Sequence, residues 1–169
     1  LVGPDHPDSN FRLAHTRLFE PLGLDNRIIH RMEGESSQLE AEESRYASLI
    51  RRLAGVETGE LPRFDLTLLG MGADGHTASL FPDYDFKAPV GAIIVSPYVA
   101  SLNSRRLSFS LPLINASRAA LVLVAGGGKA EAVKKALDSS ILENTLPIAR
   151  VAAERTVWML DLAAARLLN

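Results

Sequence analysis

Short apolar runs alternate with amphipathic stretches along the chain, and that alternation predicts its elements. Leu1 to Asn10 is dense in turn formers, Gly-Pro-Asp-His-Pro-Asp-Ser-Asn, and reads as a loop. Ser9 or Asn10 can cap a helix over Phe11 to Phe19, in which Phe11, Leu13, Ala14 and Leu18 are apolar. Pro21 and Gly23 stop it. Arg27 to Met32 reads as a short strand centred on Ile28 and Ile29. Ser36 or Ser37 opens a second helix running to about Ala54, with Glu40 at capping-box spacing from Ser37. Tyr46, Leu49, Ile50 and Leu53 form its buried stripe. Gly55 to Pro62 is a surface loop.

Phe64 starts a strand, Phe-Asp-Leu-Thr-Leu-Leu, which breaks into a loop with Gly70, Gly72 and Gly75. A short helix is expected from near His76 to just before Pro82, and Asp83 to Pro89 is irregular. Gly91 to Ser96 is a strand whose continuous Ala-Ile-Ile-Val suits a sheet covered on both faces. Pro97 to Ser104 is a loop, Arg106 to Ser110 an alternating strand, and Leu111 to Ala116 a turn or short helix around Pro112. Ala119 to Ala125 is the strongest strand, with Trp158 and Met159 on a later apolar strand expected in the core. Three glycines, Gly126 to Gly128, precede a helix from Lys129 to Leu137. Pro147 to Val151 reads as extended, Thr156 to Leu160 as the last strand, and Asp161 as the cap of a closing helix to Leu168. Strands alternating with helices predict an α/β fold: a three-layer α/β/α arrangement around a mostly parallel, Rossmann-like sheet, in one domain over residues 1–169.

Composition narrows the function classes. The 169 residues suffice for one core, and 47% hydrophobic with 22% charged residues is ordinary for a soluble globular chain. A net charge of -2 gives no basic field, so no nucleic-acid partner is expected. Cysteine is absent, which excludes disulfides and thiolate chemistry and fits the reducing cytoplasm. The longest apolar run, Ala119 to Ala125, is far short of the roughly 20 residues of a membrane span, so no membrane partner is expected. No signal-peptide pattern is visible, and the chain opens at Leu1 in a Pro-rich loop, as a fragment would. Nothing in the sequence sets an oligomeric state.

The candidate chemistry follows the Phe64 strand. In open α/β sheets ligands bind beyond the carboxyl ends of strands, and here that end carries Asp74 and His76 inside a glycine loop. Gly70 to Gly75 satisfies G-x-G-x-x-G, a dinucleotide fingerprint, which also wants an acid about 20 positions on. No Asp or Glu occurs between Asp85 and Glu131, and Asp74 would repel a pyrophosphate. From Phe86 to Ala130 the charges are all positive: Lys87, Arg105, Arg106, Arg118 and Lys129. Lys129 after three glycines at a helix start makes an anion site for a phosphate or carboxylate, unless the glycines only turn the chain. It is not a Walker loop, because Ala130 stands where Ser or Thr belongs. His76 can act as a general base that Asp74 orients, or it can cap the following helix. His15 and His30 read as structural, and His6 sits in the opening loop. The four His have no metal-ligand spacing, so no metal is expected. Ser79 lacks a G-x-S-x-G context, which leaves a nucleophile elbow unsupported.

These residues resemble a known family. Phe64 to Pro82, with Gly-Met-Gly-Ala-Asp-Gly-His-Thr-Ala-Ser-Leu-Phe-Pro, is similar to the signature of the 6-phosphogluconolactonases, which act second in the pentose phosphate pathway. Pro4 to Phe11, Arg106 to Ser117 with Leu-Pro-Leu-Ile-Asn-Ala, and Gly126 to Ala130 agree with three further segments of that family. The resemblance implies hydrolysis of a small phosphorylated sugar lactone without a cofactor. It implies His76 and Asp74 as catalytic residues, the Gly70, Gly72 and Gly75 loop near the reacting carbonyl, and Arg106 and Lys129 on the phosphate, with Arg105 a weaker candidate. The related glucosamine-6-phosphate deaminases carry a Glu five residues after the His, where this chain has Phe81. A deaminase or isomerase, or a non-catalytic sugar-phosphate binding module, is the alternative. The family's upstream strand, its glycine-serine phosphate loop and its Asp-Glu-Arg segment have no counterpart here, and a Pro-Lys-Pro-type loop is replaced by Ser96 to Ser101. The chain therefore resembles the C-terminal two-thirds of that fold.

Overall fold

The structure is a computed structural model that describes residues 2–86, 91–138, 140 and 146–168. Leu1, and Lys87 to Pro89 of the expected irregular stretch, lie outside the described residues. Three strands form the main sheet: β1 (Leu66–Gly70), β6 (Ala119–Val124) and β7 (Arg155–Leu160), parallel and in the order β1-β6-β7. Leu69 pairs with Val122, and Val122 with Trp158. β6 is central because its Ala-Ala-Leu-Val-Leu-Val run buries a side chain at every second position. Its buried face, Ala120, Val122 and Val124, joins Leu69, Ile148 and Ala164 with Ala132 and Val133 of α4 (Ala130–Leu137) in the principal core. The fold is the expected α/β class with a parallel, Rossmann-like sheet. On the second face, residues of α2 (Leu39–Ala54) share a groove with β1, and Leu66, Leu68, Leu123 and Met159 are about half exposed. Met159 is therefore not core; Trp158 packs partly against it.

Several expected elements differ, each for a local reason. The helix after the opening loop is α1 (Asn10–Ala14), continued by a π turn over His15–Phe19, and Ser9 is its cap, accepting the Arg12 N–H at 3.2 Å. Arg27 to Met32 is not a strand. Asp25 accepts the Arg27 N–H and starts a 3₁₀ turn over Asn26–Ile28. Beyond it the backbone of residues 30–33 bonds to side chains of α2 instead of to a neighbouring strand. The capping box on Ser37 does not form: α2 starts at Leu39, and Glu40 turns to pair with Arg105. Tyr46 and Ile50 are buried as expected, whereas Leu53 is exposed.

The apolar Gly91–Ser96 run contributes only β2 (Ile94–Val95), paired antiparallel with β5 (Ser108–Phe109) apart from the main sheet. The expected 97–104 loop holds a hairpin, β3 (Tyr98–Val99) with β4 (Ser104–Arg105). Ser110 caps α3 (Leu111–Asn115), with Pro112 in its first turn. Pro147–Arg150 is a 3₁₀ turn rather than extended chain. Residues 161–168 form successive turns, although Asp161 does cap the Ala164 N–H at 2.7 Å.

Ile148 links this core to the loop after β1. Its side chain is fully buried, and its N–H bonds the Gly75 carbonyl at 3.2 Å. Ile148→Ala is expected to cost about 2–5 kcal/mol, read as a lower urea midpoint at unchanged slope.

Candidate active site

The loop that leaves β1 is closed on itself. The Thr77 hydroxyl donates to the Gly70 carbonyl at 2.8 Å, Gly72 N–H to the His76 carbonyl at 2.9 Å, and Gly75 N–H to the Gly72 carbonyl at 3.0 Å. No helix follows His76. Thr77 and Leu80 exchange backbone hydrogen bonds across a two-residue turn in which Ala78 takes a φ of 49°. A non-glycine residue in that region is strained, and such strain concentrates at functional sites. The dinucleotide reading falls with the missing helix, because its pyrophosphate needs a helix N-terminus at this point.

The closed loop brings the acid and the imidazole together. His76 Nδ1 lies 2.7 Å from Asp74 Oδ1, which also accepts the His76 backbone N–H at 3.1 Å. An ionised carboxylate accepts only, so in the neutral ring Nδ1 carries the proton and Nε2 keeps its lone pair. The ring stacks on Phe81, with centroids 4.3 Å apart and planes 19° from parallel. Burial raises the Asp74 carboxyl, but the bonds from the His76 backbone and ring outweigh it and leave the group below its ordinary 3.8. A depressed carboxyl stabilises the fold above its ordinary range, and that contribution is lost as pH falls through the lowered value.

Two glycines are required by this geometry. A Cβ on Gly72 would overlap the His76 ring and the Asp74 carboxylate, so the pair can form only over bare backbone. Gly75 sits at a φ of +81°, with the Leu146 side chain where its Cβ would project.

His76 and Asp74 face a cavity of about 950 Å³. Asp8 to Phe11 of the opening loop, Arg31, Met32 and Gly34 wall one part of it. Ser101, Leu102 and Arg106 wall another. The expected Arg106 is thus on the same cavity as His76, and its Nη1 is steadied by Ser104 Oγ at 2.9 Å. Lys129 and the three loop glycines are not among the described lining residues; Gly70 instead borders an apolar groove of about 660 Å³ beside β1. At the triple glycine, both Asp161 carboxylate oxygens accept the Gly126 N–H, at 3.1 and 3.0 Å. That donor of the expected anion site is already taken by a protein acid. Arg105 is turned away to Glu40, and His6 accepts the Asp8 N–H in the exposed loop.

The N–H groups of Gly72, Gly75 and His76 are likewise used inside the loop, which narrows its candidate donors to Ala73 and Asp74. Sequence reasoning missed Phe11 and Arg31 as wall residues. Arg31 lay inside a run read as a strand, where it carries no local signal. Among the described residues no three His, Asp or Glu side chains cluster as metal ligands would, and no helix is long and apolar enough to cross a membrane.

The chain has known relatives. The family model for glucosamine-6-phosphate isomerases/6-phosphogluconolactonase matches residues 1–158. The chain belongs to this family. It is 33% identical over 165 residues to a 6-phosphogluconolactonase of Synechocystis sp., covering 95% of this chain and 66% of that protein. It is 37% identical to the 6-phosphogluconolactonase of Homo sapiens, covering 100% of this chain and 65% of the relative. The chain thus spans just under two thirds of these curated relatives. The crystal structure of devB protein superposes with a TM-score of 0.88 at 33% identity, over 99% of this chain and 70% of that one. A monomeric glucosamine-6-phosphate deaminase superposes with a TM-score of 0.72 at 27% identity, over 98% of this chain and 70% of that one.

Two outcomes test the geometry. Gly72→Ala is expected to displace the His76 ring while the fold persists, seen as changed imidazole NMR shifts with unchanged far-UV circular dichroism. In His76→Ala the Asp74 carboxyl is expected to titrate higher than in the unsubstituted chain, because burial remains and the ring hydrogen bond is gone. Carboxyl-carbon NMR reads that titration.

Proposed function

We propose that this site hydrolyses 6-phospho-D-glucono-1,5-lactone to 6-phosphogluconate, the lactonase step of the oxidative pentose phosphate pathway. The carrying observation is the His76–Asp74 pair, 2.7 Å apart and backed by Phe81, on the cavity that Arg106 also lines. In this reading His76 Nε2 takes a proton from water as the water oxygen bonds to C1 of the lactone. The C1 carbonyl becomes an oxyanion, for which the Ala73 N–H is a candidate donor on the wall. The bond from C1 to the ring oxygen then breaks, and the imidazolium returns its proton to that oxygen. One water is consumed, the ring opens to the acid, and the enzyme ends as it began, with no cofactor invoked. Asp74 holds the tautomer that keeps Nε2 free. The cysteine-free sequence suits the cytoplasm as the compartment.

Arg106 is the cation supported for the phosphate by its place on the wall. Lys129 is supported by the family resemblance alone. Fixing the phosphate end would hold C1 over the base.

Phe81 argues for lactone hydrolysis over deamination. In the deaminases that the chain resembles, a Glu at that position completes a proton relay, which a phenyl ring cannot do.

The test is hydrolysis of the lactone by the chain, followed by titration of the released acid. His76→Ala is expected to lower kcat about 10²–10⁴-fold. Full activity in that variant would remove His76 as the base. Arg106→Gln and Lys129→Gln are each expected to raise KM more than they lower kcat, and an unchanged KM removes that residue from the phosphate site. Ammonia release from glucosamine 6-phosphate would instead support the deaminase. Binding of 6-phosphogluconate without turnover would leave a sugar-phosphate binding module.

A further inference from the structure

Glu42 is a buried carboxylate that the proposed chemistry does not use. It lies on α2, its side chain is only 3% exposed, and besides pairing with Arg45 on the same helix it reaches off the helix. One of its oxygens accepts the Glu33 N–H at 2.7 Å, and the two together hold Arg45 at 2.6 and 2.8 Å. Arg45 Nη2 reaches on to the Arg31 carbonyl at 3.3 Å. One position along, the buried Tyr46 donates its hydroxyl to the His30 carbonyl at 2.8 Å. Three neighbouring side chains of one helix therefore grip the backbone of residues 30–33 at three points. Among the described residues this segment pairs with no strand.

The gripped strap is a cavity wall. Arg31, Met32 and Gly34 line the same space as His76, Asp74 and Arg106. The Arg31 guanidinium is held by both Glu35 oxygens at 2.7 and 2.8 Å and lies over the Phe11 ring, 5.6 Å from its centroid. Phe11 lines the cavity too, so the strap carries the opening loop with it.

We propose that Glu42, acting with Arg45 and Tyr46, is a positioning residue that sets the substrate-binding wall formed by residues 31–34. This rests on the proposed lactonase reading for its substrate, but not on His76 as the base. Glu42 touches neither the His76–Asp74 pair nor Arg106 among the described contacts, so its effect is on binding rather than on proton transfer.

The experiment measures lactone hydrolysis by Glu42→Gln and Tyr46→Phe, with amide hydrogen exchange over residues 29–36. Both variants are expected to exchange faster in that segment. KM should rise about tenfold or more in Glu42→Gln, in line with the large effects of small misplacements, and less in Tyr46→Phe. The shape of the kcat–pH profile should not move, because the base and its partner are untouched. A folded variant with faster exchange and unchanged KM overturns the proposal, as does a kcat loss at unchanged KM. If Glu42→Gln does not fold, Tyr46→Phe alone carries the same readings. If the unsubstituted chain hydrolyses no lactone, the lactonase reading falls by itself. The dissociation constant for 6-phosphogluconate then replaces KM, and no change in it overturns the positioning role. Failure of the unsubstituted chain to bind that ligand overturns both.

Discussion

The site depends on one missing side chain. Over Gly72 the His76 ring and the Asp74 carboxylate occupy space that a Cβ would fill. Everything nearby serves that close approach. The Gly72 N–H holds the His76 carbonyl, Thr77 ties back to Gly70, and Ile148 pins Gly75 from the core side. β1 supplies the platform, since its parallel pairing with β6 fixes where the loop leaves the sheet. The His76–Asp74 pair is thus set by backbone geometry two residues long, rather than by long side chains that must be ordered at an entropic cost.

Around that pair the cavity is built mostly from segments outside the sheet. The opening loop, the 30–34 strap and the β3–β4 hairpin each reach it from a different part of the chain. Their anchors are polar. Glu42, Arg45 and Tyr46 hold the strap, and the Arg105–Glu40 pair ties the hairpin to the same helix. α2 therefore works as a rack for the cavity wall as much as a layer of the fold. A hydrogen bond to a charged group contributes about 1.5–3 kcal/mol, and an ion pair at the surface about 1 kcal/mol or less. The buried grip on the strap should accordingly hold its place better than the exposed tether of the hairpin.

The sequence made some of this legible and hid the rest, for physical reasons. β6 declared itself because burial on alternate positions needs apolar residues in a short run, and β1 was readable as an apolar run although its buried positions are Thr67 and Leu69. Ser9 was readable as a cap because its role is local. The strand expected at Arg27 to Met32 had the right residues but no partner strand, and pairing is a long-range fact that Ile28 and Ile29 do not encode. The helix expected after His76 failed on a turn around Ala78, a residue with no preference for positive φ. The His76–Asp74 pair was legible from spacing and loop type, while Arg31 came to the cavity on the strap that α2 holds and Phe11 under the Arg31 guanidinium.

Phe81 shows how such a site divides chemistry by a single position. In the resemblance to the sugar-phosphate family, a Glu five residues after the imidazole marks the deaminases, and Phe81 takes that place here. Here the neighbour is a phenyl group stacked 4.3 Å from the imidazole. It offers no proton and shields one ring face from water, so the only acid–base partner within reach of His76 on this loop is Asp74, already committed to Nδ1. A site with one mobile proton suits a reaction that moves one proton out and back, as ester hydrolysis does. Isomerisation of a sugar must shuttle protons between carbon and oxygen at two centres, and this pair has no group to serve the second.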